Sequence, residues 1–152
     1  MNYTEYEVGL IGWLKDASDE QCRRFGLYLL DRTYEKTQPD LPKESLTLIN
    51  RIVIEVKNAP TERLSSLFFE LVDEVDRLYE EVINFEDCDD SAFSQLRDVV
   101  AGWTSYRETG ERHNLTGMGV AFLTLFDWEL EGDWNSPVIL TEIEHQQQIL
   151  QD

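Results

Sequence analysis

The pair with the most evident chemical potential lies near the C-terminal end, where Glu142-Ile143-Glu144-His145 sets a carboxylate and an imidazole three residues apart. On a helix that spacing brings both groups to one face, the arrangement by which carboxylate-rich di-metal bundles supply part of their ligand set. Such a centre needs a second Glu-x-x-His pair and further carboxylates. The chain has 2 histidines, and Gly110, not Glu, stands three residues before His113. Glu142 and His145 therefore read as a solvated helix end, and no metal is expected. The run Glu86-Asp87-Cys88-Asp89-Asp90 is dense in oxygen ligands. It lacks the ordered calcium loop with Gly at the sixth place and Glu at the twelfth.

Nucleophilic chemistry finds no better footing. Cys22 could in principle pair with His113 or His145 as a thiol–imidazole couple. It falls, however, on the apolar stripe that holds Phe25, Leu29 and Leu30, where a free cysteine behaves as a small inert hydrophobe. There is no nucleophile elbow, phosphate-binding loop or dinucleotide fingerprint. The chain is expected to be no enzyme, with no catalytic residue and no cofactor.

Charge carries more information. The formal net charge is -18, from 31 acidic and 13 basic side chains. That field repels nucleic-acid phosphates and anionic lipid headgroups and attracts basic surfaces. Between Glu70 and Asp90 ten acids face Arg77 alone, which is half of the net charge. No Lys or Arg follows Arg112, whereas nine of the 13 precede Leu64. A molecule built this way is electrically lopsided. Like charges held together repel one another, a cost that a cationic partner relieves while the field speeds its encounter.

The elements that must position these groups are helical, with apolar residues at three- and four-residue spacing. A first helix is expected over 4–16, with Tyr6, Leu10, Trp13 and Leu14 inward. Ser18-Asp19-Glu20-Gln21 fits a capping box and opens a second helix that ends near Lys36, before Pro39 and Pro42. Residues 43–58 suit a helix through Leu46, Ile49, Ile52, Val53 and Val56. The run Ile52-Val53-Ile54 would also suit a strand, but no second strand exists to pair with it. Asn58-Ala59-Pro60 is a break, and from Thr61 a strongly periodic helix carries Leu64, Leu67, Phe68, Leu71, Val75, Leu78, Tyr79 and Val82. Ser91 caps a helix to about Arg107. Residues 108–119 hold three glycines and read as the longest loop, running into a helix that starts near Thr116. Val120 to Leu130 is almost wholly apolar, a candidate central helix. Ser136-Pro137 starts the last helix, with Ser at the cap and Pro in the first turn.

With 152 residues, 41% hydrophobic and 11% aromatic, the expected architecture is all-α: one helical domain over 1–152 with six to seven helices. Two cysteines without a CxxC pattern suit a reducing compartment. No leader with a basic start and apolar core is seen, and apolar stretches fall far short of the ~20 residues that span a bilayer. A cytoplasmic protein is expected.

A small, very acidic helical chain with clustered Asp and Glu (residues 70–90 and 127–144) and scattered aromatics resembles the immunity proteins of bacterial toxin systems. These are the antidotes of contact-dependent inhibition and polymorphic toxins. The resemblance implies tight stoichiometric inhibition of a basic toxin domain, in many such systems a nuclease, by covering its active cleft or an adjacent exosite. It carries over no individual residue. From the charge pattern the contact residues are expected to be Asp73, Asp76, Tyr79, Glu80, Glu81, Asp87, Asp89 and Asp90. Trp134, in the turn Gly132-Asp133-Trp134-Asn135, is the second, surface-exposed anchor. Two other readings are an acidic mimic of nucleic acid that regulates a DNA-binding protein, and a small metal-dependent helical enzyme.

Overall fold

A computed structural model of the chain describes residues 1–41, 43–81 and 91–152. The helices are α1 (Tyr3–Asp16), α2 (Asp19–Thr37), α3 (Lys43–Asn58), α4 (Thr61–Glu81), α5 (Ser91–Thr109), α6 (His113–Glu129) and α7 (Pro137–Gln151), with one 3-10 turn at Gln38–Asp40. The chain is an all-α bundle, and no strand occurs among the described residues. The β-branched run is helical: Ile52 and Val53 are buried while Ile54 points to solvent. That is the rotation of a helix turn rather than the alternation of a strand.

Local cap chemistry sets several helix starts. The Asn2 side chain accepts the Glu5 amide at 2.9 Å. Ser18 Oγ accepts the Gln21 amide at 3.1 Å, and Gln21 Oε1 accepts the Ser18 amide at 2.8 Å, which completes the expected capping box. Ser136 Oγ accepts the Val138 amide at 3.3 Å, with Pro137 as the first residue of α7. Each such bond satisfies an amide that the helix itself leaves unpaired, worth roughly 1 kcal/mol.

The expected loop over 108–119 is a correction. α5 runs on to Thr109, Gly110 turns the chain at φ 72°, and α6 begins at His113. Gly117 and Gly119 lie inside α6, not in a loop. The reason is packing. A Cβ on Gly119 would stand 2.5 Å from Tyr6 Oη and 2.8 Å from Leu10 Cδ2, so the glycine lets α1 approach α6. Arg112 secures the same junction. Its guanidinium donates to the carbonyls of Leu14 and Ala17 at the end of α1 and to Asp19 at the start of α2, the last at 2.9 Å.

α5 and α6 form the most extensive helix pair, and α2 lies against both and against α7. α1 packs on α6 and α7, while α3 and α4 pair with each other and join the rest mainly through α4 on α5. Trp103, Phe25, Phe122, Leu29 and Leu96 are among the fully buried side chains at the centre. Each large apolar side chain taken from water contributes roughly 1.5–3 kcal/mol. Among the described residues no helix is long and apolar enough to cross a membrane.

Candidate functional site

α4 is two-faced. Leu64, Leu67 and Phe68 enter the core, and the opposite side carries Phe69, Asp73, Asp76 and Glu80, all exposed. Their spacing of four, seven and eleven residues from Phe69 puts them on one side of the helix. Phe69 is 62% exposed and rests edge-on against the Phe68 ring at 5.5 Å. An exposed aromatic in line with carboxylates has no role in the core. Phe69 is not among the contact residues expected from the charge pattern, which singles out carboxylates.

Several basic side chains are engaged elsewhere, while the exposed Arg77 lies on the flank of this face, four residues from Asp73 and three from Glu80. Arg32 pairs with Glu35 at 3.4 Å, Arg51 with Glu55 at 2.7 Å, Lys57 with Asp31 at 2.6 Å and Arg112 with Asp19 at 2.9 Å. Among the described residues, Asp73, Asp76 and Glu80 make no ion pair. Glu70 and Glu74, on the flank nearer α3, act on Arg51 and help raise its pKa, after the larger effect of Glu55. Of the other expected contact residues, the side chains of Tyr79 and Glu81, and Asp87, Asp89 and Asp90 entirely, lie outside the described residues.

Trp134 is a correction. It is 7% exposed, with its ring edge-on to Tyr3 at 4.4 Å and tilted against Tyr6 at 6.3 Å. Its indole N–H donates to Asp127 Oδ1 at 3.1 Å. Between α6 and α7, Glu131 and Gly132 take φ of 52° and 80°, and the turn folds the indole inward. Trp134 is a core residue and offers no surface anchor.

Glu142 is the second correction. It is 7% exposed, not solvated, and both its oxygens accept from Tyr28 Oη on α2, at 2.7 and 2.8 Å. Burial, followed by this carboxylate, pushes the Tyr28 hydroxyl well above the ordinary tyrosine range. One helix turn on, Gln146 Oε1 accepts from the buried Tyr6 Oη at 2.6 Å, while Gln146 Nε2 has no partner. Tyr6 is also pushed far up, first by burial and then by Glu142. His145 is exposed, with its ring 5.0 Å from that of Tyr28. These groups stitch α7 to α1 and α2. Among the described residues no cluster of three His, Cys, Asp or Glu side chains could hold a metal ion. Cys22 is fully buried, and burial raises its thiol pKa.

Fold and site thus define an all-α bundle with an acidic helix face that begins at an exposed phenylalanine, and a separate buried carboxylate. No protein-family profile, curated protein or solved structure matches this chain.

Proposed function

We propose that this chain is a non-catalytic cytoplasmic binding protein that neutralises a basic toxin domain by stoichiometric contact through the outer face of α4. The observation that carries this reading is the stripe of unpaired carboxylates Asp73, Asp76 and Glu80 that runs along α4 from the exposed Phe69. Unrelieved like charge on one helix face costs stability, and a cationic surface removes that cost on docking. An exposed aromatic at the end of such a stripe supplies the apolar anchor that charge alone lacks. Glu81, Asp87, Asp89 and Asp90 continue the same charge in the sequence and extend the proposed contact region. Trp134, being buried, has no part in it.

The test uses a basic toxin domain encoded beside this chain. Co-expression is expected to restore growth to cells that make the toxin, and the purified pair to form a one-to-one complex whose association slows as salt rises. Replacing Asp73, Asp76 and Glu80 together by Lys is expected to slow association by about 10- to 100-fold and to abolish much of its salt dependence. A triple variant that associates at the parent rate, with the parent salt dependence, would show the assignment to be wrong.

A further inference from the structure

A second feature lies apart from α4, where α2, α6 and α7 meet. A cavity of about 400 Å³ is lined there by Arg32, Phe126, Pro137, Val138, Thr141 and Glu142. Its volume falls at the small end of the range that holds small molecules. The charged groups are set out in order. Glu142 is buried, and among the described residues its one hydroxyl donor, Tyr28, is shared by both oxygens. A single O–H proton serves one oxygen at a time, whereas a carboxylate has about four acceptor positions. A buried carboxylate with acceptor capacity left over favours a charged donor in the adjoining space.

Cations stand on the other side. Arg32 lies one turn beyond Tyr28 on α2; its guanidinium pairs with the exposed Glu35 at 3.4 Å and also faces the Tyr28 hydroxyl and Glu142, which favour its charged form. One turn further on, the Lys36 ammonium sits 4.2 Å over the Phe126 ring. Phe126, Pro137 and Val138 supply the apolar part of the lining. A purely cationic ligand would meet Arg32, and a purely anionic one would meet Glu142. A molecule carrying both charges a few bonds apart meets neither penalty.

We propose that this cavity binds a small zwitterion of the α-amino-acid class with an apolar side chain. The ammonium donates to Glu142, the carboxylate accepts from Arg32, and the side chain lies on Phe126 and Val138. The proposal does not depend on the α4 face. It gives Glu142 and Tyr28 a binding role beyond joining two helices.

The experiment titrates the intact protein with L-leucine, and in parallel with N-acetyl-L-leucine, which lacks the ammonium, and isoamylamine, which lacks the carboxylate. Calorimetry gives affinity, and amide NMR shifts of residues 138–142 give location. L-leucine is expected to bind saturably below about 10 mM, with each truncated analogue at least about tenfold weaker. Glu142→Gln is expected to weaken leucine at least about tenfold. Arg32→Gln, at a half-exposed position, is expected to weaken leucine while leaving isoamylamine unchanged. The proposal is overturned if leucine gives neither saturable heat nor shifts at residues 138–142. It is equally overturned if either analogue binds as tightly as leucine, or if Arg32→Gln leaves leucine affinity unaltered.

Discussion

Tyr28→Phe isolates the interaction that joins α2 to α7. The substitution removes one oxygen and keeps the ring in place against His145, so packing is almost unchanged. What disappears is the O–H donor to Glu142, at 2.7 and 2.8 Å from its two oxygens. A hydrogen bond to a charged group is worth roughly 1.5–3 kcal/mol, and a carboxylate stripped of its donor while buried keeps its desolvation cost. The adjoining cavity lets water reach that carboxylate in part, which places the expected loss near the lower end, about 1.5–2 kcal/mol. For a chain of this length about 1 kcal/mol corresponds to roughly 2–4 °C, so the melting temperature should fall by about 3–8 °C. Urea unfolding should show a lower midpoint with an unchanged slope, since the surface exposed on unfolding is the same. Glu142→Gln in the Tyr28→Phe background should cost less than Glu142→Gln alone, because the two groups share one interaction. Tyr28→Phe within about 0.5 kcal/mol of the parent, with strictly additive costs in the pair, would refute the reasoning.

Other outcomes follow from the same geometry. Tyr6 keeps its proton in the folded state because burial raises its pKa, while the unfolded chain loses it near pH 10. Its contribution to stability is therefore complete below about pH 10 and declines by roughly 1.4 kcal/mol per pH unit above it. Tyr6→Phe should flatten the alkaline unfolding profile by that amount. Arg112→Ala frees the carbonyls of Leu14 and Ala17 and the Asp19 carboxylate, and should cost about 1.5–3 kcal/mol in chemical denaturation. Phe69→Ala removes an exposed ring and should leave stability within about 0.5 kcal/mol, whereas Trp134→Ala should cost about 3–5 kcal/mol. In a Cys88→Ser background, Cys22 should react with a thiol reagent only as fast as the protein opens.

Helix order and most helix starts were legible because their signals are local. A capping box spans four residues, and Ser136-Pro137 spans two. Gly119 of α6 misled because a glycine looks like a helix breaker until its neighbour is known. Gly119 faces Tyr6 and Leu10, more than a hundred residues earlier in the chain. Trp134 misled in the same way: its polar neighbours suggested a surface turn, and the rings that cover it belong to Tyr3 and Tyr6. Glu142 did leave a trace. Ile139, Glu142, Ile143, Gln146 and Leu150 share the buried stripe of α7, so helical periodicity alone placed a carboxylate at a core position. Its acidic surroundings outweighed that signal. Phe69 was the reverse case, an apolar residue whose register puts it among the exposed carboxylates of α4.

The central claim concerns the outer face of α4, and a photo-crosslinking amino acid placed at position 69 tests it most directly. The comparison is the same probe at Gln148, an exposed position on α7. Irradiation in living cells is expected to join position 69 to a strongly basic protein, with little product from position 148 and none after lysis into about 0.5 M salt before irradiation. Equal products from both positions, or an acidic protein captured at position 69, would contradict the account.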